Sequence, residues 1–181
     1  MQRRAKCFKS PLFVVFILFL LFTLLQFLAP LSIPKNTLSD LSGYVALADN
    51  TEIIDQLNFP SKVIYSIGDR LCHQKPERSL FINGNQMPFC SRCTAIWLGL
   101  VIGLGFMMFF RVKLDEKLFF LIIICLLPIG IDGIGQLLDF WESTNIIRVL
   151  TGIFAGAVCG IAIGVIFDEI KTIHILENNK K

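Results

Sequence analysis

The residues in this chain best suited to chemistry are four soft or borderline metal ligands in one stretch: Cys72, His73, Cys90 and Cys93. Cys90-Ser91-Arg92-Cys93 stands immediately before an apolar run, where a Cys-x-x-Cys pair can converge on one metal ion or close a small disulfide. A helix N-terminus favours thiolate and Arg92 adds positive charge, so either chemistry becomes easier there. Cys72-His73, with 16 residues between His73 and Cys90, completes a tetrahedral set suited to zinc, with iron the second choice. Neighbouring side chains seldom converge without a turn, so one of Cys72 and His73 can bind while the other acts as an outer partner or base. A redox dithiol and a structural disulfide that leaves one cysteine over are the competing chemistries. Of the other cysteines, Cys7 lies in the N-terminal tail, and Cys125 and Cys159 sit in apolar runs as small apolar residues.

A second polar set lies inside apolar stretches. Asp132, Gln136 and Asp139 follow an i, i+4, i+7 pattern, so one helix face carries two carboxyls and an amide. A mid-membrane Asp against lipid costs ~2.5 to 3.5 kcal/mol on insertion scales, so this face must turn into protein or toward water. Gly152, Gly156, Gly160 and Gly164 form a small-residue ridge, Arg148 extends it by one step, and Gly99 with Gly103 offers a matching groove. Asp132, Gln136, Glu142 and Arg148 are therefore the candidate catalytic residues. A carboxylate near a metal can act as general base, and Arg can hold phosphate or carboxylate. Without catalysis, Asp132 and Arg148 would be a buried structural ion pair. Ser143, Thr144 or Asn145 can cap the last helix, with Trp141 at the interface.

The elements that must position these residues are membrane helices. Hydrophobic residues make up 54% of the chain and its mean hydropathy is +0.67, far beyond what a soluble domain needs for its core. Residues 12–33, 94–110, 118–138 and 146–167 are each near the roughly 20 that span ~30 Å of hydrocarbon. The expected fold is all-α, an integral membrane bundle of about four transmembrane helices with an extracytoplasmic segment between the first two. The first run is too long for a secretory signal, and it reads as an uncleaved anchor. Basic residues cluster at three ends: Arg3, Arg4, Lys6 and Lys9; Arg111, Lys113 and Lys117; Lys171, Lys180 and Lys181. These mark the cytoplasmic side and put both termini inside, in the cell membrane.

The expected divisions are a cytoplasmic tail over 1–11, the first helix over 12–33, the outer segment over 34–93, helices two to four over 94–167 and a tail over 168–181. Residues 34–58 are too polar to make a core of their own and should lie over the bundle. Over 61–71, Ile64, Ile67 and Leu71 recur at helical spacing with Lys62, Asp69 and Arg70 on the wet side, which predicts an interfacial helix delivering Cys72 and His73 to the membrane surface. The tail from 168 reads as a frayed helix end with His174 solvated. The net charge of +3 is modest, and no basic stripe interleaved with aromatics points to nucleic acid. The expected partners are the lipid bilayer, a small-molecule or lipid substrate, and a second copy of the chain through the glycine faces.

The motifs Cys72-His73-Gln74, Glu77-Arg78-Ser79, Cys90-Ser91-Arg92-Cys93-Thr94, Asp132-Gly133-x-x-Gln136 and Glu142-Ser143-Thr144-Asn145-x-x-Arg148 resemble an uncharacterised prokaryotic membrane-protein family, domain of unknown function 2085. The resemblance covers about 64–164. The chain departs from it at Ala95, Trp97 and Trp141, where the family often has Gly, Tyr and Arg. The resemblance implies a shared membrane fold and brings no activity. Three functions compete: a membrane metalloprotein with an embedded reaction; a quinone-coupled thiol-disulfide oxidoreductase, for which a second cysteine pair is missing; and a non-catalytic assembly or transport component.

Overall fold

In the computed structural model, residues 2–3 and 11–178 are described, with side chains over 11–173. The readings placed on Arg3, Arg4, Lys6, Cys7, Lys9, His174, Lys180 and Lys181 concern side chains outside the described residues. In chain order the elements are β1 (Gln2–Arg3), α1 (Pro11–Leu28, continued by a 3-10 turn Ala29–Leu31), α2 (Thr51–Ile54), α3 (Ser61–Leu71), β2 (Ser79–Ile82), β3 (Asn85–Cys90), α4 (Ser91–Phe109), β4 (Phe110–Arg111), α5 (Glu116–Leu137) and α6 (Asn145–Asn178). Four of them, Pro11–Leu31, Ser91–Phe109, Glu116–Leu137 and Asn145–Ile173, are long and apolar enough to cross a membrane. The fold is thus mostly helical, as composition and run length require, with two short antiparallel strand pairs added.

The bundle is built on α4 and α6. About 44% of the most apolar stretch of each is buried within the protein, against 22% for α1 and 17% for α5. The reason lies in the glycines. A Cβ on Gly99 or Gly103 would run into the main-chain oxygen of Ile153 or Ala157 on α6, and one on Gly156 or Gly160 into that of Ile96 or Leu100 on α4. Backbones at that separation exclude any larger residue. The ridge is therefore occupied within the chain, and the expected second copy cannot use it. α1 packs on α4 through Phe22, whose ring lies 4.8 Å from that of Trp97, and α5 packs on α6.

Residues 32–90 sit across the end of the bundle at which α1 ends and α4 begins. Residues 34–58 make no core of their own and supply three residues to a shared one: Leu38, Leu41 and Ile54 close over Ile64 and Tyr65 together with Ala29 and Ile33 at the end of α1. Few apolar residues suffice because buried amides satisfy the irregular backbone. Asn85 donates to the oxygens of Pro30 and Pro34 and accepts from the N–H groups of Thr37 and Leu38. Gln86 accepts from Leu41 N at 2.9 Å and donates to Leu41 O at 3.0 Å. The helix over 61–71 forms as expected, but its faces differ from the periodic reading. Asp69 is buried, accepting from the backbone and side-chain N–H of Asn50, whereas Leu71 is exposed in the last turn. Specific pairing outweighs polarity here. The Tyr65 hydroxyl donates to Gln86 O at 2.6 Å, and burial pushes its pKa up.

At the far end α6 runs on to Asn178, so residues from 168 continue the helix rather than fray. At the near end α5 stops one residue before Leu138, and Asp139 takes a left-handed φ of 54° while exposed. Asp139 thus terminates the helix instead of extending the polar face of Asp132 and Gln136.

Candidate functional site

Cys90 and Cys93 are placed by one local event, the passage from β3 directly into α4. Cys90 is the extended N-cap residue and Cys93 lies in the first turn, which sets the two thiols on the same side of the helix start. The strand before them exists because Asn83-Gly84 forms a two-residue turn, with φ of 55° and 70°, pairing Ser79 with Cys90. Such an Asn-Gly turn is the strongest short hairpin signal. That signal was available in the sequence.

Cys72 comes from the other direction. α3 ends at Leu71, Cys72 is extended (φ −140°, ψ 144°), and Gln74 follows in a left-handed conformation (φ 44°). Gln74 is held by its amide donating to Pro88 O at 2.8 Å and by its own main-chain oxygen accepting from Gln86. Alternation along extended backbone sends Cys72 and His73 to opposite sides. Cys72 points inward, 2% exposed, and its Sγ accepts from Cys90 N at 3.3 Å. The sulfurs of Cys72, Cys90 and Cys93 all lie within 4.8 Å of one another, and among the described residues they form the only such cluster of metal-ligating side chains.

His73 is not brought into this cluster. It is half-buried, and its Nδ1 accepts from Lys75 N at 3.4 Å. Burial lowers its pKa. Of the described cysteines none is in a disulfide. Hydrogen bonds from Cys72 and then from Cys93 hold the Cys90 thiol well below its usual range, and the thiol of Cys72 is pushed up by that same bond. One thiolate solvated by two thiols is the proton-bearing counterpart of a three-sulfur metal site. Zinc needs sulfurs at ~2.3 Å, so an inward shift of under about 1 Å per pair would seat it. The three cysteines could therefore bind a metal. Phe89, Phe22 and Ile67 pack around them and keep the sulfurs in an apolar wall.

The second polar set also assembles, with a different pairing from the one expected. Asp132, 5% exposed, forms its ion pair with Arg92 of the Cys-x-x-Cys motif and not with Arg148. Gln136 donates to Asp132 Oδ2 at 3.0 Å, and its Oε1 accepts from Arg148 Nη2 at 3.0 Å. Arg148 also donates to Asn145 Oδ1 at 3.2 Å, and that oxygen lies 2.8 Å from Ser91 Oγ. The chain of contacts runs from α5 through α6 to the start of α4, so the arginine cluster adjoins the cysteines by way of Ser91 and Arg92. Trp141 covers Asp132, with Nε1 3.5 Å from Oδ1. Thr144 is the residue that caps α6, accepting from Ile147 N at 3.3 Å. Glu142 stands exposed on the turn, apart from the other candidates, and makes no hydrogen bond or ion pair among the described residues.

Arg92, Asn145, Ser91 and Trp141 are site residues that sequence reasoning did not assign to this cluster. Arg92 carried a signal, since a buried carboxylate in a membrane helix demands a cation and Arg92 lies at matching depth. Gln26 was also overlooked. It is fully buried on α1, one turn after Phe22, with neither amide atom hydrogen-bonded.

The family model described as predicted membrane protein (DUF2085) matches residues 72–164, just over half of the chain. The chain belongs to this family. The match begins at Cys72 and ends at Gly164, so it takes in the three cysteines, the Arg92–Asp132–Arg148 cluster and the glycine ridge. An uncharacterised protein of Methanocaldococcus jannaschii is 39% identical over 101 residues, covering 54% of this chain and 64% of that protein. An uncharacterised protein of Methanothermobacter thermautotrophicus is 38% identical over 86 residues, covering 48% of this chain and 78% of that protein. The chain therefore spans somewhat less than two thirds of the length of the first relative. No solved structure matches the chain.

Proposed function

We propose that this chain is a multi-pass membrane metalloprotein that holds one zinc ion on Cys72, Cys90 and Cys93 at the extracytoplasmic surface, where it serves a membrane-embedded reaction. The observation that carries the reading is the convergence of three thiols from the end of α3 and the start of α4, with His73 turned away. Structural zinc sites are closed by four protein ligands, whereas catalytic ones keep a position open, and three converging thiols match the second kind. A zinc ion bound there would supply Lewis acidity or an activated water. Arg148 would hold an anionic group of the substrate, Gln136 would orient Arg148, and Asp132 would fix Arg92 and Gln136 in place.

Metal analysis and thiol titration on protein purified without chelator test this. About one zinc per chain is expected, absent from Cys72→Ala and Cys90→Ala, with the three thiols titrating only after chelation. Protein without metal but with an oxidised cysteine pair would hand the lead to the thiol-disulfide oxidoreductase reading.

The orientation follows from charge. Lys113, Lys117 and Lys171 lie at the end of the bundle opposite the cysteines, together with Arg111, and no Lys or Arg occurs over 139–145. We expect a reporter fused after Lys181 to be active only when it requires the cytoplasm, as the boundaries 1–11 and 168–181 for the two inner tails also require. Activity of an extracytoplasmic reporter at that position would reverse the assignment.

A further inference from the structure

We propose that Arg92 and Arg148 form a receiving site for a phosphate group at the depth of the lipid headgroups. This deepens the substrate-holding role given above to Arg148 and rests on that part of the reading, not on the metal.

Donors outnumber charged acceptors in this cluster. The cluster holds two guanidiniums and one carboxylate, Asp132, which is engaged by Arg92, Gln136 and Trp141 and not by Arg148. Arg148 is 6% exposed, yet the acceptors it finds are the neutral amide oxygens of Gln136 and Asn145. Among the described residues it has no carboxylate partner. A guanidinium offers five N–H groups, and two are used here. On Arg92, Nε is buried with no acceptor at all. Arg78 adds a third cation within electrostatic reach of Arg148, held beside the cluster by the contact of Ser91 with the Arg78 carbonyl at 2.9 Å. A buried charge is ordinarily paired, because its desolvation otherwise costs several kcal/mol. A zinc ion on three thiolates would add one net negative charge nearby, which offsets field but gives these N–H groups no oxygen to bond.

A phosphate supplies what is missing. It is all acceptor, it carries negative charge, and its oxygens match arginine forks approaching from two helices. The positions agree as well. Arg92 and Arg148 occupy the first turns of α4 and α6, both long helices whose N-terminal ends carry partial positive charge. First turns of spanning helices lie where the bilayer places its phosphates. Access exists, since Arg92 is one-quarter exposed and Gln136 and Asn145 are half-buried.

The test is the thermal stability of the full-length protein in neutral detergent, because a ligand that binds only the folded state raises its melting temperature. Four additions are compared: sodium phosphate against sodium chloride at matched ionic strength, and phosphatidic acid against diacylglycerol. We expect phosphatidic acid to raise the melting temperature of the wild type and Arg148→Gln to weaken its apparent affinity about 30-fold or more. Arg148→Lys, which keeps the charge without the fork, should fall between them and serves if the Gln variant does not fold. A rise with inorganic phosphate too identifies a site for free phosphate, whereas a rise with the lipid alone identifies a headgroup site; both support the inference. Equal melting of the wild type in each matched pair, or equal responses of wild type and both variants, overturns it. Zinc content measured on the same samples keeps the two readings apart. Metal-free protein that still answers to phosphate loses the zinc reading only, and zinc-loaded protein that ignores phosphate loses this one.

Discussion

Gly156→Ala is expected to destabilise the protein by roughly 2 to 3 kcal/mol or more, while Gly130→Ala leaves it unchanged or stabilises it by up to about 1 kcal/mol. Both replace glycine in a spanning helix, so intrinsic propensity would favour alanine at each. The surroundings decide. A Cβ at Gly156 would meet the Ile96 carbonyl and come within 2.9 Å of Leu100 N, which are backbone atoms that cannot turn aside. At Gly130 nothing lies within 4 Å. Relieving the first contact requires α4 and α6 to separate along the seam that holds the bundle together and sets Ser91 and Arg92 against Asn145 and Arg148. Thermal unfolding of the two variants in one detergent checks this. Equal melting temperatures would mean that the glycine seam does not carry the packing.

Asp132→Ala should cost about 3 to 5 kcal/mol, the range for removing one partner of a buried pair and stranding the other. Arg92 would lose its counter-ion with Nε already lacking an acceptor, and Gln136 would lose the oxygen that orients it toward Arg148. The exposed pair Lys62–Asp55, with side chains 46% and 57% exposed, sets the scale for comparison. Its removal should cost no more than about 1 kcal/mol. A double-mutant cycle gives the decisive number, because Asp132→Asn combined with Arg92→Gln removes both charges and should be less damaging than the sum of the single changes. Strict additivity of the two would show that the ion pair is not a coupled unit.

The way in which these sites were and were not foreseeable follows from how local each cause is. The grouping of Cys72 with Cys90 and Cys93 was legible because topology left three cysteines between the first two spans, and a Cys-x-x-Cys at a helix start is set by the helix itself. The exclusion of His73 was not. It depends on α3 ending at Leu71 and on Gln74 adopting a left-handed turn, which buried amide contacts with Pro88 and Gln86 impose from across the outer layer. Asp132 was recognisable as a buried carboxylate in need of a cation, but several arginines lay at similar depth. The choice of Arg92 over Arg148 is made by how α5, which carries Asp132, is set against α4 and α6.

By itself the sequence determined four helices long and apolar enough to span a membrane, because hydrocarbon thickness acts on contiguous length and composition, which are properties of each segment alone. It determined the glycine seam as well, since the spacing of Gly152, Gly156, Gly160 and Gly164 fixes one face of one helix. The tertiary structure alone decided how a polar segment of 59 residues, 32–90, keeps its shape. Asn85, Gln86, Gln74 and Asp69 replace an extensive apolar core with hydrogen bonds to backbone remote in sequence. Such bonds have no period and no composition signature. Their partners become neighbours only after the chain has folded, which is also why the buried pairings of Asp132 and the outward turn of His73 belong to the fold and not to any local run of residues.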